Sequence, residues 1–182
     1  MKLLLHSCCA PCSTGCLPEL RINGIEPDLF WYNPNIHPYT EYRARRDCLG
    51  AFAAEENLKL IMDDEYGLKG FISGMPSTGS RCAFCYRLRL EKTAKKAAEA
   101  GFTAFSTTLL ISPYQNHEAI KTSGEECAAC YGVDFFYMDL RPRFKESQNQ
   151  ARKRNYYMQK YCGCIFSEEE RYLKANGTEN KK

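Results

Sequence analysis

Five short apolar runs, alternating with stretches of helical periodicity, limit this chain to few folds. Lys2–His6, Asp28–Tyr32, Leu58–Met62, Phe102–Thr107 and Val133–Leu140 are of strand length and are set off by Pro, Gly, Asn or Ser. Helical patterns lie between them. One starts at Pro11–Ser13 and stops before Gly24, and others cover Thr40–Asn57, Cys82–Ala100 and Asn116–Tyr131. Gly67 to Ser80 is rich in Gly, Ser and Pro and reads as a loop, and Arg143 to Lys160 reads as a basic helix. Alternation of this kind predicts an α/β fold, a parallel sheet flanked by helices. In such sheets ligands bind beyond the carboxyl ends of the strands. A chain of 182 residues suits a single domain, here residues 1–173, with a polar tail over 174–182.

The chain carries eleven cysteines, and most fall in tight clusters. The first is Cys8-Cys9 with Cys12, just after the first strand, where a strand-to-helix turn can converge thiols and a helix N-terminus favours thiolates. The second, Cys82-x-x-Cys85, opens the long helix. Two cysteines from each junction are enough for tetrahedral zinc or for a cuboidal iron–sulfur cluster. Spacing does not separate these, although an adjacent Cys-Cys pair is unusual for zinc. Cys162-Gly163-Cys164 differs: a disulfide between i and i+2 closes a small strained ring and is labile, which suits a two-electron store. Cys16 and Cys48 fall at helix-core spacing, and Cys127 and Cys130 lie one turn apart within a helix; all four read as packing residues. His6, close to the first cluster, reads either as a donor supporting it or as a satisfied buried histidine.

Met1-Lys2-Leu3-Leu4-Leu5-His6 has too short an apolar core for a signal peptide, and no run approaches the roughly 20 residues of a membrane span. A cytoplasmic location follows as an expectation. There thiols stay reduced, and dense cysteines point to metal binding or catalysis. Net charge is only +3, yet Arg141, Arg143, Lys145, Arg152, Lys153, Arg154 and Lys160 stand against Glu146 alone between 141 and 160, seven cations to one anion. Phe144, Tyr156 and Tyr157 interleave with them. Such a segment is either a solvated helix face or a surface for phosphates and stacked bases. The chain has no phosphate-binding glycine loop and no serine nucleophile elbow.

Four motifs in order along the chain resemble those of the epoxyqueuosine reductase QueH family. They are Leu5-His6-Ser7-Cys8-Cys9-Ala10-Pro11-Cys12-Ser13, Arg81-Cys82-x-x-Cys85-Tyr86-Arg87-Leu88, Thr107-Thr108-Leu109-Leu110-Ile111-Ser112-Pro113-Tyr114 and Tyr161-Cys162-Gly163-Cys164. The resemblance implies a Rossmann-like fold of the adenine-nucleotide hydrolase (HUP) type. Cysteines stand where ATP-using relatives carry a phosphate loop, which argues against ATP use. It further implies reduction of epoxyqueuosine to queuosine on tRNA, the last step of queuosine synthesis, with electrons from an external donor. By motif, Cys8, Cys9, Cys82 and Cys85 would ligate a 4Fe–4S cluster, and Cys162 with Cys164 would form a redox-active pair. Cys12 would be a natural ligand for an additional adjacent iron. A tRNA substrate makes Arg141, Arg143, Lys145, Arg152, Lys153 and Arg154 the candidate phosphate contacts. Two other readings compete: a zinc-binding thiol-relay protein, and a tRNA-modifying enzyme of the ATP-pyrophosphatase type.

Overall fold

The computed structural model describes residues 1–77 and 79–177. Strand β1 (Leu3–His6) leads into helix α1 (Ala10–Ile22); β2 (Asp28–Trp31) and α2 (Tyr39–Glu55) follow, then β3 (Leu60–Met62). A short helix α3 (Leu68–Ser73) precedes the long α4 (Arg81–Glu99) and β4 (Ala104–Thr107). A 3₁₀ turn (Thr108–Ile111), α5 (His117–Tyr131), β5 (Asp134–Phe135), α6 (Phe144–Lys153) and α7 (Ile165–Gly177) complete the described chain. No helix among the described residues is long and apolar enough to cross a membrane.

The five strands form one parallel sheet in the order β3-β2-β1-β4-β5. Leu5 lies opposite Leu29 on one side and Ser106 on the other, so β1 is the central strand. Its Leu3, Leu4 and Leu5 are all buried, as expected where helices cover both faces of a parallel sheet. The chain moves outward from β1 in one direction through β2 and β3, then returns to β1's other side with β4. That reversal opens a crevice at the carboxyl ends of β1 and β4, where doubly wound sheets bind ligands. The Cys8-Cys9-Cys12 turn and Thr108 both lie at this point.

Local signals account for the helix ends. Ser80 Oγ caps α4 by accepting the Ala83 N–H at 3.3 Å, and Asn116 Oδ1 caps α5 through the Ala119 N–H at 3.0 Å. Gly132, at φ 65°, ends α5 in the left-handed conformation that glycine adopts freely.

The structure departs from the sequence reading in four places. The 67–80 segment is not all loop, because buried Phe71 packs against His37 (5.3 Å) and Phe84 (5.7 Å) and anchors α3. The basic helix stops at Lys153, seven residues early, and Asn155 turns left-handed at φ 56°, freeing 154–164 to cross the crevice. The fifth apolar run pairs over only two residues, Asp134 and Phe135. Finally, helix α7 extends to Gly177 through the start of the expected tail, whose residues 178–182 lie outside the described residues.

Helix α6 closes over the crevice by packing on α1. Ser147 donates to the Pro11 carbonyl, and Gly15 lets the backbones approach: a Cβ there would sit 2.5 Å from Ser147 Cβ. Gly15→Ala is therefore expected to destabilise the fold by about 1–3 kcal/mol, seen as a lower urea midpoint at constant slope. An unchanged midpoint would show that the contact is slack.

Candidate active site

Three cysteines converge where β1 gives way to α1. His6 ends the strand and ties the sheet together there, with Nδ1 2.9 Å from Thr107 Oγ1 on β4 and Nε2 3.2 Å from the Tyr32 carbonyl. Burial, with the nearby Arg89 charge, lowers its pKa to about 4, so the ring stays neutral and acts as a brace. Beyond it the chain turns, and Cys9 becomes the N-cap of α1, its Sγ accepting the Cys12 N–H at 3.4 Å. The Sγ atoms of Cys8, Cys9 and Cys12, all buried, lie within 4.8 Å of one another. Thr108 clamps Cys8: its Oγ1 accepts the Cys8 N–H at 3.2 Å and lies 3.6 Å from Cys8 Sγ. Gln159 covers the trio, its Nε2 3.1 Å from Cys9 Sγ and 3.8 Å from Cys12 Sγ.

These thiols do not titrate alike. Hydrogen bonds from Cys12 and Cys9, and one from Thr108, hold Cys8 well below the usual thiol range. Burial pushes Cys9 up, and Cys12 rises because its proton is committed to its neighbours. Of the three, Cys8 is the one whose surroundings favour the thiolate. Further charge requires a cation that displaces the remaining protons.

Helix α2 supplies the support for the other redox candidate. Arg45, 1% exposed, pairs with Glu41 one turn back (Nε–Oε1 2.6 Å). Its other nitrogens donate to the carbonyls of Cys162 and Tyr161, each at 2.9 Å. The turn is tied again by the His37 N–H to the Gly163 carbonyl (2.8 Å) and by Tyr161 Oη to the His37 carbonyl (2.6 Å). Gly163 is required: its φ is +134°, and a Cβ would meet Arg45 Nη1 at 3.3 Å. Cys162 is exposed, with Gln115 Nε2 3.6 Å from its Sγ, whereas half-buried Cys164 accepts the Ser167 N–H of α7 at 3.4 Å. Gln115 is oriented in turn by the buried Tyr86 hydroxyl, 2.7 Å from its Oε1.

Cys82 and Cys85 stand at the start of α4, the first exposed and the second buried. Burial pushes the Cys85 thiol up to about 12. Neither belongs to the trio whose sulfurs lie within 4.8 Å of one another. Arg89, 2% exposed, lies within electrostatic reach of Cys8, Cys85 and Cys162 and so relates the three groups of thiols. Its Nε donates to the Cys85 carbonyl at 3.0 Å, and its Nη2 has no partner.

A cavity of about 420 Å³ opens here, lined by Cys8, Cys12 and Cys162 together with Arg89, Asn35 and Gln159. Tyr114, 83% exposed, stands at its mouth, held edge-on by Phe144 at 5.7 Å. The basic candidates divide into two sets. Arg141 is paired with Asp139, Arg143 with Glu19 and Glu146, and Arg154 with Glu55 and Glu56. Lys145, Arg152 and Lys153 are exposed and have no ion pair among the described residues, and the same holds for Lys160 and Arg171, which line the cavity. Of the cysteines read as packing residues, Cys16 and Cys127 are buried in the core, Cys48 is half-buried beneath the Tyr157 N–H, and Cys130 is exposed, where packing does not account for it.

The sequence model of one family, epoxyqueuosine reductase QueH, matches residues 3–170. A Dehalococcoides mccartyi protein of that name is 38% identical over 176 residues, covering 96% of this chain and 97% of its own. Relatives of the same name from Acinetobacter baylyi and Thermotoga maritima are 39% and 33% identical; each match covers 91% of this chain and, respectively, 80% and 89% of theirs. The chain belongs to the epoxyqueuosine reductase QueH family.

Membership leaves open what the thiols hold, and donor chemistry bears on that. Every cysteine is free, the trio is buried, and two buried guanidinium groups, Arg45 and Arg89, act electrostatically on these sulfurs. Such a setting fits an anionic, thiolate-held metal group. Arg45, Arg89, Asn35 and Gln159 were missed from sequence. The legible signal for the arginines was their position: Arg45 falls in line with Tyr42, Leu49 and Phe52, and Arg89 with Cys85, Tyr86 and Thr93, all buried helix positions.

Arg45→Met leaves the Glu41 carboxylate buried without its cation, which costs about 3–5 kcal/mol, read as a lower melting temperature. It also frees the Cys162 turn, so alkylation of reduced Cys162 should accelerate. The double variant E41Q/R45M should recover stability but not the slow alkylation. An Arg45→Met protein with unchanged melting and alkylation would contradict this account.

Proposed function

We propose that this chain reduces epoxyqueuosine in tRNA to queuosine, the last step of queuosine synthesis. The observation that carries the reading is that Cys162 and the Cys8/Cys12 thiols open into one cavity at the crevice between β1 and β4. The sheet is then a variant of the adenine-nucleotide hydrolase plan in which cysteines occupy the phosphate-loop position, and residues 1–173 act as one catalytic unit. Reduced cysteines at such density suit the cytoplasm.

Converting the epoxide to the alkene takes two electrons and two protons, and the oxygen leaves as water. The dithiol Cys162/Cys164 balances this: its two thiols give up both protons and both electrons and become a disulfide. Arg45 holds the main chain of that turn, Gln115 contacts the Cys162 sulfur, and the Ser167 N–H at the start of α7 donates to the Cys164 sulfur. A 4Fe–4S cluster held by Cys8, Cys9, Cys82 and Cys85, with an additional iron at Cys12, would supply single electrons and a Lewis acid when bound. An external electron donor then returns the disulfide to the dithiol for the next turnover.

Binding of the tRNA falls to the cations that are free to meet phosphate. Lys145, Arg152 and Lys153 on α6 and Lys160 and Arg171 at the cavity mouth meet that condition, whereas Arg141, Arg143 and Arg154 must first break ion pairs. Tyr114 offers its exposed ring to an unstacked base.

A second reading draws on the 4.8 Å closure of Cys8, Cys9 and Cys12, a spacing that suits a single ion such as zinc in a thiol-relay protein.

Anaerobic purification separates the two. A brown protein with about four irons per chain and matching acid-labile sulfide, able to remove the oxygen from epoxyqueuosine-tRNA by nucleoside mass analysis, is expected. Cys162→Ser should abolish turnover with iron content unchanged. Colourless protein with stoichiometric zinc and no conversion would overturn the proposal. For the tRNA surface, Lys160→Ala and Arg171→Ala should each weaken binding and lower the slope of log K against log salt by roughly 0.7–0.9, with Arg154→Ala nearly silent. Equal effects from all three would reject this division.

A further inference from the structure

Five buried side-chain polar atoms among the described residues have no hydrogen-bond partner: Asn33 Oδ1, Asn35 Oδ1, His37 Nδ1, Arg89 Nη2 and Gln159 Oε1. Three of them, on Asn35, Arg89 and Gln159, belong to side chains that line the cavity of about 420 Å³ described above. Buried polar groups are ordinarily satisfied, so three orphans around one cavity indicate a polar ligand that supplies the missing bonds.

Their surroundings fix which bonds each can make. Arg89 is pinned on one edge, Nε to the Cys85 carbonyl at 3.0 Å, which leaves its Nη2 a donor not yet used. Gln159 commits its Nε2 to the Cys9 and Cys12 sulfurs, which leaves its Oε1 as an acceptor. Asn35, 1% exposed, adds a second acceptor through its Oδ1. One cationic donor and two acceptors, with Cys162 in the same lining, match a small ring that carries one ether-type oxygen and flanking hydroxyl groups. The epoxide-bearing cyclopentane diol of epoxyqueuosine has that pattern.

Resting on the function proposed above, we propose that these three side chains form the subsite for the epoxide ring. Arg89 Nη2 donates to the epoxide oxygen, and Asn35 Oδ1 and Gln159 Oε1 accept from the ring hydroxyls. Arg89 is then a catalytic residue. Its guanidinium cannot give up a proton, so it acts by stabilising negative charge that develops on oxygen as the C–O bonds break. Both protons of the departing water still come from the Cys162 and Cys164 thiols, whose sulfurs are oxidised to the disulfide. The role suits a cation over a neutral donor, because a fixed positive charge favours the charged transition state over the neutral epoxide.

The test uses the anaerobically prepared holoenzyme and tRNA carrying epoxyqueuosine. Arg89→Met should lower kcat by roughly 10²–10³-fold while tRNA affinity, iron content and visible spectrum stay as in the parent, and Arg89→Lys should recover part of the loss. Asn35→Ala should raise KM by roughly tenfold, and should narrow the preference for epoxyqueuosine-tRNA over unmodified tRNA in direct binding. Unchanged kcat in Arg89→Met overturns the assignment. Loss of iron together with activity also overturns it, since Arg89 would then serve the metal group. Should Arg89→Met fail to fold, Asn35→Ala decides, and intact discrimination rejects the subsite. A parent enzyme that does not convert the epoxide refutes the function proposed above, a different outcome from a parent that works with fully active Arg89 and Asn35 variants.

Discussion

The buried Arg45–Glu41 pair is the interaction on which the arrangement of the site depends. A guanidinium out of water is costly unless its donors find acceptors. Arg45 spends one edge on Glu41, one turn back on α2, and the other on the Tyr161 and Cys162 carbonyls. Those carbonyls belong to the segment that leaves α6 and crosses the crevice without secondary structure of its own. The segment therefore has a defined path because a charge beneath it must be satisfied. The same pairing brings Cys162 to the cavity wall that also holds Cys8 and Cys12, residues about 150 positions earlier in the chain. Glu41 is fixed as well by the Tyr157 hydroxyl, so the ion pair and the crossing segment position one another.

The second buried cation is compensated differently. Arg89 has the Cys85 carbonyl on one edge, and on the other only the field of sulfurs that can become thiolates. Cys8 already holds its charge easily because Cys9, Cys12 and Thr108 donate to it. Two guanidinium groups facing sulfurs at the end of a central strand make a region that accepts negative charge in steps. Electron delivery to a metal group of the kind proposed above would require that property, and an apolar crevice would oppose it. The neutral His6 completes this division: it carries hydrogen bonds between strands and adds no charge to the balance.

Much of this was legible in the sequence, for physical reasons that differ by element. β1, β2 and β4 were readable because a strand buried on both faces is a continuous apolar run, and α4 because its buried face repeats cleanly through Leu90, Ala94 and Ala97. β5 was overextended because apolar residues from Phe136 to Met138 pack against the core without pairing in the sheet. α3 was hidden because six residues depend on one tertiary anchor, Phe71, and not on propensity. The positions of the cysteines told where a site lies, since strand-to-helix turns beside the central strand are where the sheet opens. The same pattern was silent on the three side chains proposed as a subsite. Asn35, Arg89 and Gln159 come from three separate segments, and nothing in their local sequence marks a polar atom that will be left without a partner.

Charge in the basic segment illustrates a related limit. Seven cations between 141 and 160 suggested a uniform phosphate-binding face, yet the fold spends Arg143 on Glu19 of α1 and Arg154 on Glu55 and Glu56 of α2. Those pairs fasten α6 and its exit to the helices on either side of the crevice. Exposed pairs of this kind contribute little stability singly, but they orient. By tethering both ends of α6 they leave Lys145, Arg152 and Lys153 pointing away from the body, and Lys160 at the rim where the chain re-enters the cavity. On the function proposed above, unpaired charge at the mouth and the exposed Tyr114 ring would then serve the same RNA strand at one opening.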